Sequence, residues 1–420
     1  MKAVVFHGLG DIRLEDVADP EIEQDTDAIV RITSSAICGT DLHMIRGTMP
    51  GMKEGTILGH EAVGIVEEVG SQVRNLKPGD RVIVPSTIAC GNCAYCRAGY
   101  YAQCDNANPN GPTAGTAFFG GPQTTGGFNG LQAEKARIPF AHIGLVKVPQ
   151  EISDDQAILL SDIFPTAWMA AENAEIKPGD SVAVFGCGPV GQFCIASAKL
   201  MGAGRIIAVD GIDSRLEMAR AQGAEVVNFE KEDPVEEIKA LTDGIGVDRV
   251  IDAVGVDAQH PHRGPAAEPA EQNATQFQAA QKTAMKGESP RPSDGNWHPG
   301  DAPPQVLTWA IEALAKAGTL SIIGVYPETM ESFPIGKAMN KNLTLKMGNC
   351  NHRKYLPHLV ELVRTGAIDP ASVLTQREPL VSVIDAYKAF DQRKPGWIKV
   401  ELVPGETPER SGIATAEPAV

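Results

Sequence analysis

The sequence has no apolar run approaching the roughly 20 residues that a membrane-crossing helix requires. Its opening, Met1-Lys-Ala-Val-Val-Phe6, lacks the layout of an export signal and reads as a first strand, so a cytoplasmic location is expected. Positive charge is also in short supply. Lys and Arg number 37 against 53 Asp and Glu, a formal charge of −16. An acidic surface is repelled by nucleic acid and by anionic membranes, so neither is expected as a partner, although a local basic pocket is compatible with it. A disulfide framework is not indicated either, because four of the eight cysteines crowd between positions 90 and 104. That is a metal pattern rather than the framework of a small secreted domain.

What is present fits a two-domain globular chain. At 420 residues it exceeds what one hydrophobic core usually supports. The first part carries short β-type runs at 28–33, 62–69 and 81–84, broken by glycine and proline, and reads as a β-rich domain. From about Asp162 the rhythm becomes strand alternating with helix. Strands are predicted at 181–185, 205–210, 225–228, 247–252, 319–324 and 343–346, with helices at 190–201, 214–222 and 306–316. Six such strands describe an α/β fold with a doubly wound parallel sheet. Residues 256–304 interrupt it with a proline-, alanine- and glutamine-rich stretch of little periodicity, read as a lid or a mobile surface segment with Trp297 as an apolar anchor. The tail after Pro404 is polar and expected to fray.

Cys90, Cys93, Cys96 and Cys104 have the spacing C-x2-C-x2-C-x7-C, in a lobe of about 88–106. Four thiolates from one loop close a tetrahedral zinc site with no open position, a structural role; an iron–sulfur cluster is the rival. Gly186-Cys-Gly-Pro-Val-Gly191 follows the apolar strand 181–185 and opens a helix, the context in which G-x-G-x-x-G binds a dinucleotide. Gly186, Gly188 and Gly191 let the backbone approach a pyrophosphate, and Pro189 and Val190 begin the helix whose N–H groups face it. Asp210, 19 residues beyond Gly191, ends the next strand, where a carboxylate accepts from a ribose 2′-OH and repels a 2′-phosphate. NAD is therefore expected over NADP. Arg215 stands beside the adenosine end, or is an ordinary surface arginine.

Cys38-Gly-Thr40 with His43, then Gly59-His60-Glu61-Ala-Val-Gly64, the four-cysteine loop and the dinucleotide fingerprint together resemble the zinc-containing medium-chain alcohol dehydrogenases. The resemblance implies a GroES-like catalytic domain (1–160, completed by 347–420), a Rossmann NAD-binding domain (161–346) and two zinc ions per subunit, in a homo-oligomer, dimer or tetramer. It places Cys38, His60 and, in Leu160-Ser-Asp-Ile-Phe-Pro-Thr166, Asp162 on the catalytic zinc, with Thr166 beside the nicotinamide. Aspartate at that ligand position resembles the glutathione-independent formaldehyde dehydrogenases, which also carry an insertion after the fourth strand. Zinc tolerates a carboxylate oxygen in place of a thiolate with the ligand charge unchanged, although Asp162 also reads as a helix N-cap. Glu61 is implied as a transient or supporting ligand of the same zinc, or is a strand-edge charge. Thr40 is implied as the hydroxyl that bonds the substrate oxygen, His43 as the outer member of the proton relay, and Lys399 near the pyrophosphate. Three protein ligands leave the metal one open position for a small primary alcohol or hydrated aldehyde. Ser86 leaves the pocket roomy, with Phe164 and Trp168 able to narrow it unless they pack in the core. A secondary-alcohol or polyol dehydrogenase and a silent NAD-binding protein are the rival readings; a metal-free quinone reductase would lack Cys38, His60 and the cysteine lobe.

Overall fold

A computed structural model describes residues 1–287 and 295–405. The expectation for the tail beyond 405 therefore lies outside the described residues, as does the part of the insertion at 288–294.

The strand-rich part forms a seven-stranded sheet in which Ala28–Ile37 is central, pairing antiparallel with Ala62–Val69, Lys135–Ile138 and Val400–Val403. Ala62–Val69 is buried over its first three residues and at Val66, and Arg81–Val84 over its last three, which places Val63, Val66, Val82 and Val84 in the core. The chain's last strand matters to the site. Val400 sits opposite Ile37, so the C-terminal segment returns beside the residue preceding Cys38.

The second part is a six-stranded, wholly parallel sheet in the order Glu225–Asn228, Arg205–Asp210, Ser181–Phe185, Val247–Asp252, Leu314–Ile322, Thr344–Met347. Strand order reverses between Ser181–Phe185 and Val247–Asp252, the crevice where such sheets bind ligands. Helices Asp154–Leu160, Ile163–Asn173, Pro189–Leu200 and His352–Arg364 contribute to one large buried cluster that joins this sheet to the first part.

Two local expectations fail. The helix predicted at 306–316 ends at Ala313, and Leu314 is already extended. Ala317 takes a left-handed φ of 59°, and pairing slips so that Val247 faces Leu314 while Arg249 faces Thr319. The insertion is more ordered than its lack of apolar periodicity indicates. It holds helices Ala267–Gln272 and Ala274–Ala284, which rest on the high helix propensity of Ala, Gln and Glu and bury only a small face, Ala270 and Phe277 against Ala302.

Candidate active site

Cys38 ends the Ala28–Ile37 strand and begins the Gly39–Arg46 helix, whose first turn is tied by Asp41 accepting the Cys38 N–H at 2.9 Å. His60 is delivered by a turn that only glycine allows. Gly59 has φ 92°, and a Cβ there would lie 2.4 Å from Gln132 Cγ and 2.8 Å from its backbone nitrogen. The other oxygen of Asp41 stands 3.2 Å from His60 Nδ1, so the imidazole presents Nε2 inward. Asp162 occupies the N-cap position of Ile163–Asn173 but makes no capping bond. Its carboxylate turns to the cleft, 3.3 Å from His60 Nε2 and 4.0 Å from Cys38 Sγ.

The ligand atoms of Cys38, His60, Glu61 and Asp162 all lie within 4.8 Å of one another. One sulfur, one imidazole and carboxylate oxygens converging on a point form a donor set suited to zinc. Neither ring nitrogen of the buried His60 makes a hydrogen bond; Nδ1 faces Asp41, and Nε2 lies beside the Asp162 carboxylate at 3.3 Å, the spacing of two groups that could share one cation. The residues present fit the metal.

Around this set the structure adds residues that sequence reading missed. His352 Nε2 meets Asp162 Oδ1 at 2.7 Å, and its Nδ1 meets Thr87 Oγ1 at 3.0 Å. Burial penalises the Asp162 charge, but His352 and His60 outweigh it and hold the carboxyl well below its usual range. No motif marked His352, because it reaches the site only when its helix packs back from the far end of the chain. Ser86 Oγ donates to Asp162 Oδ1 at 3.2 Å, and Thr166 Oγ1 donates to the same oxygen at 2.9 Å.

Lys399 departs from its expected place. Its ammonium is buried and bonded to both oxygens of Glu61, at 2.8 and 2.6 Å, and to the Ile37 carbonyl at 3.1 Å. Burial opposes the ammonium, yet Glu61 and the neighbouring anions keep it above the ordinary lysine value. An arginine on the same return of the chain, Arg393, instead lines the cleft near Arg215. Burial, with repulsion from Arg215 and Arg46, brings Arg393 down to about 10, leaving it still cationic at neutral pH. Phe164 and Trp168 also do not narrow the pocket. Phe164 stacks on Phe193 at 4.9 Å and Trp168 meets His358 edge-on. Phe118, T-shaped against His60 at 6.1 Å, lines the cavity in their place.

One continuous cavity of about 360 Å³ joins this centre to the glycine loop. Thr40, His43 and Thr166 line it at one end, and Gly186, Gly188, Pro189, Val190, Asp210 and Arg215 at the other. Gly191 and Glu61 do not face it. Gly191 instead permits helix–strand contact, since a Cβ there would lie 1.8 Å from the Gly186 carbonyl oxygen. The buried Asp210 accepts from the Cys187 N–H at 2.8 Å and the Ile212 N–H at 2.9 Å, which aims its carboxylate at the loop mouth.

The four-cysteine lobe stands apart. Its thiols lie within 4.8 Å of one another, and backbone N–H groups of Cys90, Cys93 and Cys96 point at sulfurs at 3.2–3.4 Å. Burial works against the Cys90 thiolate, but the Asn92 and Cys93 N–H groups and the Asn106 side chain donate to its sulfur and lower it to about 7. All eight cysteines are free thiols. A third group, His260, His262 and Asp301, lies at the neck of the insertion. Asp301 there is already engaged by the His260 N–H at 3.0 Å and its Nδ1 at 2.9 Å, so a hydrogen-bonded pair accounts for that geometry. No helix among the described residues is long and apolar enough to cross a membrane.

Two family models match the chain, the alcohol dehydrogenase GroES-like domain over residues 24–150 and the zinc-binding dehydrogenase domain over 189–261. An uncharacterised zinc-type alcohol dehydrogenase-like protein of Bacillus subtilis is 40% identical over 408 residues, 96% of this chain and 100% of its own. A glutathione-independent formaldehyde dehydrogenase of Pseudomonas aeruginosa is 38% identical over 277 residues, 63% of this chain and 68% of its own. Among solved structures, the alcohol dehydrogenase TADH of Thermus sp. ATN1 matches with a TM-score of 0.77 and 32% identity, over 96% of this chain and 100% of that one.

Proposed function

This chain belongs to the zinc-type, medium-chain alcohol dehydrogenase family, and from that premise we propose that it oxidises a small primary alcohol or hydrated aldehyde, of the formaldehyde type, with NAD+ as hydride acceptor. The observation that carries the reading is the convergence of Cys38, His60 and Asp162 in the cavity that also holds the glycine loop and Asp210. Bound by those three residues, zinc supplies Lewis acidity at one open position. Asp41 and His352 hold His60 and Asp162 in register for it. Thr40 is placed to accept the proton of the substrate hydroxyl, and His43, one turn along the same helix, to pass it outward. Thr166 stands where the nicotinamide would lie. Arg215 and Arg393 offer positive charge to a pyrophosphate, and Asp210 selects the unphosphorylated ribose. A second zinc belongs to Cys90, Cys93, Cys96 and Cys104. A cytoplasmic location and a homo-oligomeric state, dimer or tetramer, accompany the reading.

Polar side chains at Ser86, Thr87, Thr116 and Asn349 line the same cavity and favour, as a second reading, a substrate with another hydroxyl, a polyol or secondary alcohol. Turnover of formaldehyde, ethanol and sorbitol by protein of measured zinc content separates the two. Fastest NAD reduction on sorbitol would transfer the assignment, and none on any substrate, with two zinc ions per chain present, would end it.

A further inference from the structure

His43 is buried, and its Nδ1 lies 2.9 Å from Asp257 Oδ2 and 3.1 Å from Thr48 Oγ1. Asp257 comes from the other half of the molecule, in the short turn Gly255–Asp257 with which the insertion begins. Its Oδ2 also accepts from Arg46 Nη1 at 2.8 Å, and its Oδ1 accepts the Gly300 N–H at 3.0 Å, so both ends of the insertion meet at this carboxylate. Burial alone would raise the Asp257 carboxyl, but His43 and Arg46 hold it far below the usual carboxylate range. It is therefore an acceptor only. The Thr48 hydroxyl donates to the His43 carbonyl, leaving its oxygen as an acceptor too. A ring nitrogen facing two acceptors must carry the hydrogen.

We propose that Asp257 is a positioning residue for the proton relay, locking His43 in the Nδ1–H tautomer so that the Nε2 lone pair is the acceptor at the relay's outer end. This rests on the dehydrogenase reading for the role of His43. The remaining charges around the pair are accounted for: Arg46 is shared between Asp257 and Asp391, and Arg393 feels Asp257 from across the cleft. A proton arriving at Nε2 makes an imidazolium that Asp257 faces as an anion, and it leaves to water from the same nitrogen. Asp257 itself is never protonated. The arrangement follows the logic of a carboxylate that orients a catalytic imidazole without taking its proton. The insertion thus supplies a working part of the reaction through its first residues, which line the cavity.

The test uses zinc-loaded protein with 15N-labelled histidine. The His43 signal is identified by its loss in His43→Gln. The wild type should show a protonated Nδ1 and a bare Nε2, and Asp257→Asn should show a mixture, because a carboxamide can face Nδ1 with either end. Turnover of the best substrate should fall about tenfold or more in Asp257→Asn. In the His43→Gln background the same change should cost less than about twofold, since the two residues act through one another. A protonated Nε2 in the wild type overturns the proposal, whatever the variants do. So does an equal loss of turnover in both backgrounds, which would make Asp257 only a strut. Protein that reduces no NAD with any alcohol refutes the dehydrogenase reading instead, and the tautomer still decides the Asp257 assignment.

Discussion

Trp297 makes the insertion's attachment measurable. It is 2% exposed and packs among Val4, Phe6, Leu42, Tyr387 and Phe390, all in the part of the chain that carries Cys38 and the C-terminal return. Its backbone N–H donates to Asp391 at 2.7 Å, and Asn296 donates to the Lys388 carbonyl at 2.9 Å, so ring and backbone dock together. Trp297→Ala removes the ring and leaves those bonds. Trp-to-Ala changes in a core cost about 3–5 kcal/mol. The residue stands at φ 66°, a strain that alanine shares, so backbone conformation changes the figure little. Because the segment has its own second anchor at Asp257, the loss should fall on local undocking rather than on the whole fold. At about 1.4 kcal/mol per decade, the undocked fraction should rise roughly a hundredfold to a few thousandfold. Near the start of the insertion the His262 N–H reaches Glu230, which lines the same cavity as Asp210. Undocking should therefore expose amides of 255–304 to hydrogen exchange and quicken NAD release in stopped flow. Unchanged exchange would refute the docking argument. Faster exchange with an unchanged NAD off-rate would refute the lid and leave the insertion to the relay contact alone.

Asp162→Asn removes one of two anionic ligands, leaving a zinc site of net positive charge. Catalytic zinc should bind at least 10- to 100-fold more weakly, with the cysteine lobe still loaded by elemental analysis; full zinc and near-normal turnover would reduce Asp162 to a helix cap. Asp210→Ser should narrow the preference for NAD over NADP, at about 1 kcal/mol of stability for the lost bonds to Cys187 and Ile212; equal use of both cofactors by the unmodified protein contradicts the ribose assignment. Burial raises Glu401 to about 7 despite the hydrogen bond from Ser34. Its folded value lies above its unfolded one, so this contribution to stability is whole below about pH 4.5 and is lost as pH rises through 7, by up to about 3 kcal/mol. Glu401→Gln should be the more stable protein at pH 8.5 and lose that advantage at pH 4.5 in urea titrations, and an equal difference at both would refute the burial argument.

The parts of the site legible in the sequence are those whose partners lie close along the chain. The cysteine lobe lies within 15 residues, and the glycine loop, its strand and Asp210 fall within one strand–helix–strand unit, so spacing alone carries their geometry. Cys38, His60 and Asp162 needed the family resemblance, since nothing local says that positions 124 residues apart meet at 4.0 Å. His352 and Asp257 were invisible for the same reason, without a motif to compensate. Arg393 was overlooked in favour of Lys399 because both sit on the return of the chain and line the cavity, and only packing shows that Lys399 is taken up by Glu61. The helices of the insertion were missed because apolar periodicity is the signal of a buried face, and the face these helices bury is mostly alanine around Phe277.

The buried charges explain why the C-terminal return belongs to the site. An ion pair taken out of water seldom gains over an apolar replacement of the same shape, because desolvation offsets the attraction. Lys399 with Glu61, Arg46 with Asp257 and Asp391, and His60 with Asp41 are thus weak devices for stability, yet all three border the cavity. What they share is direction. Asp41 turns Nε2 of His60 inward, and Asp257 fixes the face that His43 presents. Lys399, held by Val400–Val403 against the strand that ends at Cys38, keeps both oxygens of Glu61 engaged. Glu61 lies close enough to count among the converging ligand atoms. Left free, it would compete as a fourth protein ligand and close the position that a catalytic zinc must keep open. In the proposed reading, the lysine that the resemblance implied near the pyrophosphate serves the reaction from behind, by holding a carboxylate back from the metal.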